Sequence, residues 1–374
     1  MQKVDISIIS SGASLADARL HRIVNALIRA GLTVEIFAPG AAADAPAGAM
    51  IRAVHQGKGF KWRIHRAFYS PWRAEGRVLY CLAPEAQLFT WKAALLKRRI
   101  YCADIYEDYQ SLLKDRAWAK KLFTLPGKVG SVITKVSTFY ASKASLTTVA
   151  DTHVPPFTAK DRLVLRNVPD AAHLSMSGKL AKKPRAIYIG DVRESRGLHT
   201  MLQAAVLAPN WHFDIVGPIS DADATWIHLW SISNESAAAR VTFHGRLSPH
   251  QSWKLAKGAW VGLSLLEPTP AFIAAVPSKI YEYMSVGLAT ITTPLPRSAA
   301  LVSSSKSGAI ADGPTSVAKL LNSWEVKPAP LEKMRTNGLT WSAKNLDAEA
   351  EYGAMIARIQ GLILRSTRTA RSKG

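Results

Sequence analysis

The sequence predicts an α/β protein with two doubly wound parallel sheets that follow one another along the chain. Three observations support this prediction. The length of 374 residues corresponds to two domains of ordinary size. Short β-branched runs alternate with helical patterns, as in parallel sheets covered by helices. The alternation fades at residues 171–184, which contain Ser, Gly, Lys and Pro, and it restarts near residue 185.

The first half opens with the order strand, helix, strand. VDISIIS (4–10) predicts a strand, and apolar residues recur at helical spacing from Leu20 to Ile28. Gly31 stands where a helix-capping glycine belongs, and TVEIFAPG (33–40) predicts the next strand. The other strands of this half are predicted in RVLYCLAP (77–84), RRIYCADIYED (98–108), SLTTVA (145–150) and DRLVLRNVPD (161–170).

The second half repeats the scheme. Its strands are predicted in RAIYIGDV (185–192), WHFDIVGP (211–218), ARVTFHGRLSP (239–249), WVGLSLLEP (260–268), LATITTP (288–294) and GAIADG (308–313). Residues 341–365 predict one long amphipathic helix, and the basic residues after it predict a disordered tail. We therefore expect one domain over residues 1–180, a second over 181–345, and a closing helix with tail over 346–374.

Charge is the unusual property of this sequence. Lys and Arg outnumber Asp and Glu by 48 to 27, which gives a net charge of +21. Residues 51–143 alone contain 18 basic and 6 acidic residues. Such an excess predicts an anionic partner: a nucleic acid, a membrane surface or a phosphorylated substrate.

Cys81 and Cys102 are the only cysteines, and each lies in an apolar run, so we expect buried thiols and no disulfide framework. The first residues lack the basic and apolar regions of a signal peptide, and no run of about 18 apolar residues predicts a membrane-spanning helix. A cytoplasmic protein is the expectation.

The strongest motif is PSKIYEYMSVG, residues 277–287. Lys279 and Glu282 are three residues apart, so they share one face of a predicted helix near its N-terminus. Free N–H groups and the helix dipole make that end suitable for a phosphate, and Lys279 would add charge. The alternative is an ordinary Lys–Glu pair on a helix surface.

This motif resembles the donor-binding motif of GT-B glycosyltransferases, in particular glycosyltransferase family 4. AIYIGDVRESRGLHTMLQAA resembles the start of that family's C-terminal domain, and FDIVGP and VTFHGRLSP resemble the strands that follow. IYCADIYEDY resembles its D-x-H-E segment, and the helix from Trp341 resembles its terminal helix, which packs back onto the N-terminal domain. The resemblance implies two Rossmann-like domains that face a central cleft, with a nucleotide-diphosphate sugar of the UDP or GDP type as donor and no other cofactor.

The resemblance also implies roles for residues of the donor site. Glu282 corresponds to the second glutamate of the E-x7-E pattern, which binds the nucleotide ribose, and Arg196 to a basic residue that holds the diphosphate. Lys279 and Ser278 lie in the same motif. The loop glycines Gly12 and Gly217 complete the predicted donor-binding set.

Three positions depart from the family pattern. Ala274 replaces the first glutamate of E-x7-E, Asp191 replaces the first basic residue of the phosphate pair, and Tyr106 replaces the histidine of D-x-H-E. Glu267 could substitute for the missing glutamate. The departures leave open a changed donor, an altered stereochemical outcome or a catalytically impaired GT-B scaffold that acts as a binding protein at the membrane.

The implied reaction needs few protein groups and no metal. Positive groups would stabilise the charge that builds on the departing diphosphate, and the family resemblance favours retention of configuration. An inverting reaction would need a carboxylate to take the acceptor proton. Asp104, Glu107 and Asp108 follow a strand and are the candidates, with helix capping as the alternative role.

The basic block interleaves Lys and Arg with aromatic residues, a combination that suits an anionic bilayer surface. It predicts a peripheral enzyme on the inner face of the cytoplasmic membrane, with a lipid-linked or glycan acceptor. Solvated basic helices are the plain alternative, and single-stranded nucleic acid is a rival that no binding signature supports. The predicted membrane or acceptor residues are Lys61, Trp62, Arg63, Arg66, Trp72, Lys120 and Lys121.

Overall fold

The computed structural model describes residues 3–115, 125–169 and 174–371. It divides the chain into two units, one formed by residues 1–167 with 348–374 and the other by residues 168–347. The first unit ends before the predicted boundary at residue 180. The reason is that Ser177 bonds to the second unit, where its N–H donates to Val286 O (2.9 Å) and its hydroxyl to Gly287 O (2.8 Å).

The first unit contains a seven-stranded parallel sheet in the order β3-β2-β1-β4-β5-β6-β7. In its centre, Ile6 of β1 pairs with Val34 of β2 and with Val78 of β4. The strands are β1 (Ile6–Ile9), β2 (Val34–Phe37), β3 (Met50–Ile51), β4 (Val78–Cys81), β5 (Ile100–Ile105), β6 (Leu146–Val149) and β7 (Arg162–Val164). The helices are α1 (Ala18–Arg29), α2 (Phe60–Arg73), α3 (Gln87–Leu96), α4 (Tyr109–Asp115), α5 (Leu125–Ala141) and, from the end of the chain, α14 (Ala348–Arg371).

Helices cover both faces of this sheet. Leu20 and Ile23 of α1 and Met355 and Ile359 of α14 are buried in one cluster with the strands. The opposite cluster contains alanines of α2, α3 and α5, at positions 67, 93 and 141. Small residues let these three helices lie close to the sheet. Trp72, Phe89 and Trp91 also pack against this cluster, while other large side chains of the same helices are exposed.

The second unit contains a six-stranded parallel sheet in the order β10-β9-β8-β11-β12-β13. Ala186 of β8 pairs with Phe213 of β9 and Val261 of β11. The strands are β8 (Arg185–Ile189), β9 (His212–Val216), β10 (Val241–Gly245), β11 (Val261–Ser264), β12 (Ala289–Thr292) and β13 (Gly308–Ile310). The helices are α6 (Leu198–Leu207), α7 (Asp221–Ser233), α8 (Glu235–Ala238), α9 (Pro249–Leu255), α10 (Ser278–Val286), α11 (Pro296–Ser305), α12 (Gly313–Val326) and α13 (Ala329–Asn345).

The two parallel sheets with helices confirm the predicted fold class. The C-terminal prediction was wrong in two respects. The helix expected over 341–365 is broken, because Leu346 adopts an extended conformation after α13 and α14 begins at Ala348. Asp347, directly before α14, is a residue type that favours helix starts over helix interiors. The expected disordered tail is helical as far as Arg371.

Candidate functional site

In each sheet the strand order reverses at one point, between β1 and β4 in the first unit and between β8 and β11 in the second. Ligands of doubly wound sheets bind beyond the carboxyl ends of the strands at such points. The predicted site residues of each unit are therefore expected near this edge of its sheet.

In the second unit, Gly190 follows β8 and makes a notch that Lys279 fills. A Cβ atom on Gly190 would lie 2.3 Å from Cε and 2.4 Å from Nζ of Lys279, and the φ of +151° also favours glycine. The ammonium group lies 5.8 Å from the ring centroid of Tyr188. A side chain at position 190 would displace the end of the lysine from this position.

Arg196 supplies a second positive charge close to Lys279. It ends a short 3-10 turn, Glu194–Arg196, and its guanidinium lies 5.4 Å from the ring centroid of Phe272. Burial, together with the charge of Arg196, lowers the pKa of Lys279 to about 8, against the opposing effects of Glu282 and Asp191. Two cations close together in a partly buried notch suit a polyanion by their charge.

Tyr283 fixes the helix that carries Lys279. A Cβ atom on Gly262 of β11 would lie 2.5 Å from the Tyr283 ring, so the ring lies flat on the strand at this position. Its hydroxyl donates to Leu263 O (3.2 Å). Within the motif PSKIYEYM, Tyr283 and Met284 are thus buried. Ser278, Lys279 and Glu282 are half-buried near the start of α10.

Gly217 has a supporting role. A Cβ atom there would lie 1.7 Å from the carbonyl oxygen of Gly190, so this glycine lets the loop after β9 approach the Lys279 notch. Its N–H donates to Gly245 O (2.8 Å).

The positions that depart from the family pattern have other contacts. Asp191 pairs with Arg193 (3.1 Å). The carbonyl of Ala274 accepts a hydrogen bond of 2.5 Å from Arg297. Glu267 accepts a long hydrogen bond of 3.4 Å from Thr200.

In the first unit, Gly12 lies in the loop after β1, against Arg63 of α2. A Cβ atom on Gly12 would lie 2.9 Å from Nη2 of Arg63. The Arg63 guanidinium donates to both carboxylate oxygens of Glu85, at 2.8 and 3.0 Å, and Ser11 Oγ donates to the same carboxylate at 2.9 Å. Gly12 therefore contacts a paired arginine in this unit.

A cavity of about 280 Å³ opens beside this pair. Apolar residues of α2, α4 and α5 form much of its wall. Tyr106 and Glu107 also line it, and burial raises the pKa of Tyr106. Of the three predicted catalytic carboxylates, Glu107 is the one that the cavity reaches.

The other two carboxylates have structural roles, which corrects the prediction. Asp104 is fully buried in β5, where Arg19 donates to both of its oxygens (2.6 and 2.7 Å) and Thr148 donates a third hydrogen bond (2.6 Å). Asp108 accepts the backbone N–H groups of Gln110 and Ser111 at the start of α4. Asp108 therefore has the helix-capping role that was the alternative to catalysis.

Two of the predicted membrane residues are also corrected. Arg66 is buried because it donates to the carbonyls of Ser11, His55 and Gly57. Trp72 packs against the buried cluster of the first unit.

Lys61 is exposed, and Trp62 is half-buried and stacks on His55 with ring centroids 3.4 Å apart. The side chain of Arg63 is 44% exposed. Lys120 and Lys121 lie outside the described residues.

A second group of residues on the same layer was not predicted from the sequence. Eight large hydrophobic side chains of α2, α3 and α5 are exposed: Phe60, Phe68, Tyr69, Leu95, Leu96, Val129, Val132 and Phe139. Phe68 contacts Phe89 of α3, and Trp91 of α3 contacts Tyr140 of α5, so the three helices are neighbours. None of them contains Asp or Glu. We call this exposed surface the basic apolar face. The sequence pattern that could have predicted this face is the presence of apolar residues on the core-distal sides of three adjacent helices.

Neither a metal cluster nor a membrane-spanning helix occurs among the described residues. No cluster of three or more His, Cys, Asp or Glu side chains in the described ranges is placed to hold a metal ion. The one D-x-D spacing, at Asp221 and Asp223, lies in the first turn of α7, where Ser220 caps the helix. Within the described part of the chain, no helix is both long and apolar enough to cross a membrane.

Comparison with known proteins agrees with this geometry. Residues 173–341 match the family model of glycosyl transferases group 1. No curated protein matches the sequence. The fold is similar to that of sucrose-phosphate synthase from Thermosynechococcus elongatus, with 14% identity, a TM-score of 0.74, and coverage of 98% of this chain and 100% of that chain.

Two further solved structures share the fold. HepE from Anabaena, solved in complex with UDP and glucose, has 14% identity and a TM-score of 0.71, with 96% of this chain and 100% of that chain covered. WaaG, a glycosyltransferase involved in lipopolysaccharide biosynthesis, has 12% identity and a TM-score of 0.64, with 95% and 100% covered. The family match includes the Lys279 notch, and the fold similarity extends over nearly the whole chain. Residues 173–341 thus match the glycosyl transferases group 1, and the chain has the GT-B fold of these solved structures.

Proposed function

We propose that the protein transfers a sugar from a nucleoside-diphosphate sugar of the UDP or GDP type to a lipid-linked or polysaccharide-building acceptor. The observation that carries the donor assignment is the pair Arg196 and Lys279 at the start of α10. A diphosphate would gain two cations and the free N–H groups of the helix. The solved complexes of HepE with UDP and with UDP-glucose support this class of donor.

The proposed reaction breaks the bond between the anomeric carbon and the diphosphate oxygen. The acceptor oxygen forms the new bond and loses its proton, and the nucleoside diphosphate leaves. Arg196 and Lys279 would stabilise the charge on the leaving group, so we propose a metal-independent reaction with retention of configuration. Glu282 lies on the same side of α10 as Lys279 and would accept hydrogen bonds from the ribose.

A thermal-shift panel tests the donor site. We expect UDP or GDP, with their sugar conjugates, to raise the melting temperature, because a ligand at 100 times its Kd stabilises the folded state by about 2.7 kcal/mol. Lys279→Ala and Glu282→Ala should reduce the shift, while Lys319→Ala, an exposed lysine of α12, should not. No shift with any nucleotide would contradict the proposal, and binding without sugar transfer would favour the impaired scaffold.

We also propose that the protein binds the inner face of the cytoplasmic membrane through the basic apolar face. Exposed lysines at 61, 92, 128, 135 and 143 accompany its eight hydrophobic side chains. Each basic residue near an anionic bilayer contributes about 1 kcal/mol, and the apolar side chains can enter the headgroup region. Charge and apolar area thus point to the same partner.

Vesicle flotation tests this face. The protein should float with vesicles that contain phosphatidylglycerol at low salt and less with phosphatidylcholine alone. The double variant Leu95→Asp, Leu96→Asp should lose flotation, while Leu229→Asp, Ile232→Asp, which changes two exposed residues of α7 in the second unit, should keep it. Equal flotation of both variants would contradict the proposal, as would binding to RNA in place of vesicles.

A further inference from the structure

We propose that Arg193 determines the affinity for the donor diphosphate by holding Asp191 in a neutral ion pair beside the Lys279 notch. The inference rests on the proposed function, because it takes the diphosphate to bind at Lys279 and Arg196. It concerns Asp191, one of the three positions that depart from the family pattern.

Asp191 lies beside the notch. It directly follows Gly190, where a side chain would displace the end of Lys279. The Tyr188 hydroxyl donates to the carbonyl oxygen of Asp191 (2.7 Å), and the ring centroid of Tyr188 lies 5.8 Å from the Lys279 ammonium. Burial and Arg196 lower the pKa of Lys279, and the Asp191 carboxylate opposes them, so its charge acts on the notch.

A carboxylate without a counter-ion at this position would work against the proposed donor. Each phosphate of a nucleoside-diphosphate sugar carries a negative charge at neutral pH, and Lys279 and Arg196 attract it. Glu282, three residues after Lys279 in α10, already brings one carboxylate to this end of the helix. A second one would further weaken the attraction of the two cations for a phosphate.

Arg193 is placed to remove this conflict. Its Nη2 lies 3.1 Å from Oδ2 of Asp191. Between the two residues, Val192 is fully buried and forms a parallel bridge with Ile219. Side chains on either side of a residue in extended backbone lie on the same face of the chain. The bridge therefore directs Asp191 and Arg193 to one side and lets them pair.

The backbone fixes Arg193 next to the second cation of the site. The carbonyl oxygen of Arg193 accepts the N–H groups of Arg196 (3.1 Å) and Leu198 (3.2 Å). The side chains of Arg193 and Asp191 are only 35% and 39% exposed, so water screens the carboxylate in part and a counter-ion is needed for the rest. Arg193 acts through Asp191 and is a positioning residue.

Calorimetric titration at pH 7 and low ionic strength tests the inference, with UDP and GDP as the probes. Arg193→Gln should weaken the binding of the nucleotide about fivefold, because it leaves the carboxylate without its counter-ion. Arg193→Lys keeps the charge and should bind like the unchanged protein. The double variant Asp191→Asn, Arg193→Gln should recover the affinity of the unchanged protein within about twofold, since it removes both charges. Glu194→Gln, an exposed neighbour in the same turn, is the control and should have little effect.

Salt dependence separates a charge effect from a structural one. The loss caused by Arg193→Gln should shrink in about 0.5 M NaCl, because ions screen the carboxylate. A loss that is the same at both salt concentrations would overturn the inference.

The affinities also separate this inference from the proposed function. If Arg193→Gln binds UDP or GDP as tightly as the unchanged protein, the inference is overturned and the donor site stands. A double variant that binds as weakly as Arg193→Gln would show that Arg193 contacts the phosphates directly, which contradicts a role through Asp191. If the unchanged protein binds neither nucleotide, the proposed function fails, and the inference that rests on it fails as well.

Discussion

Lys279 shows how one side chain acquires its properties from residues distant in sequence. The sequence placed it at a helix N-terminus, and its motif marked it as a donor residue. Its notch depends on Gly190, 89 residues earlier, and its neighbouring charge on Arg196. A glycine directly after a predicted strand was the one available signal for the notch.

The lowered pKa of Lys279 predicts a pH dependence of donor binding. Above pH 8 the side chain loses the proton that a diphosphate needs, so the Kd for UDP-glucose should rise, by up to about tenfold per pH unit. Titrations between pH 7 and 9 measure this. Lys279→Arg should flatten the profile, because a guanidinium stays charged over this range.

The same group has the opposite effect on the stability of the donor-free protein. The pKa in the folded state lies below that of the unfolded chain, so the unfolded state binds more protons between pH 8 and about 10.5. The contribution of Lys279 to the free energy of unfolding therefore increases as pH rises through this window. A profile of UDP-glucose affinity that is flat from pH 7 to 9 would contradict both statements.

Asp104 shows the limit of interpretation from sequence at the same scale. An acidic residue near the end of a strand indicates either catalysis or structure. Its partner Arg19 lies in α1 and Thr148 in β6, and neither can be chosen from sequence spacing. Because the carboxylate is buried and accepts hydrogen bonds from both α1 and β6, its role is structural.

At the scale of the element, α2 divides its basic and aromatic residues between the sheet and the solvent. Its basic and aromatic residues alternate, so the sequence alone could not divide them between the sheet and solvent. Pro71 lies inside the helix, and Arg66 and Ala67 face inward. The exposed side of α2 keeps Phe60, Lys61 and the other residues of the basic apolar face.

This division predicts unequal effects of two charge-removing substitutions in α2. Arg66→Met leaves three backbone carbonyls without their donor and should lower the free energy of unfolding by about 2 kcal/mol or more. Lys61→Met should change it by less than about 0.5 kcal/mol, because the side chain is exposed. Urea denaturation of both variants measures the difference. Equal destabilisation would show that Arg66 does not anchor the helix.

At the scale of the whole molecule, the two sheets could be predicted because strand and helix periodicities alternate clearly in both halves. The family resemblance also implied that the closing helix packs on the first unit, and α14 belongs to that unit. The position of the boundary could not be predicted, since residues from 168 onwards already belong to the second unit. Such assignments depend on contacts like that of Arg166 with Glu351, which are 185 residues apart.

The role of α14 in the first unit predicts which substitutions disturb it. Met355 is fully buried against the first sheet, while Gln360 of the same helix is exposed. Met355→Asp places a carboxylate in the core and should lower the melting temperature of the first unit by many degrees, whereas Gln360→Asp should have little effect. Calorimetry with and without UDP distinguishes the units, since UDP should still stabilise the second in both variants. Unchanged melting of Met355→Asp would contradict the assignment.

The position of α14 also has a consequence for how the protein is made. Ribosomes deliver the chain from residue 1 onwards, yet Tyr352, Met355, Ile359 and Ile363 belong to the core of the N-terminal unit. Residues 168–347 can complete their own sheet as soon as they emerge. The unit that contains residues 1–167 is thus completed after the unit that follows it, and a nascent chain holds an open apolar surface on its first sheet until α14 has been synthesised.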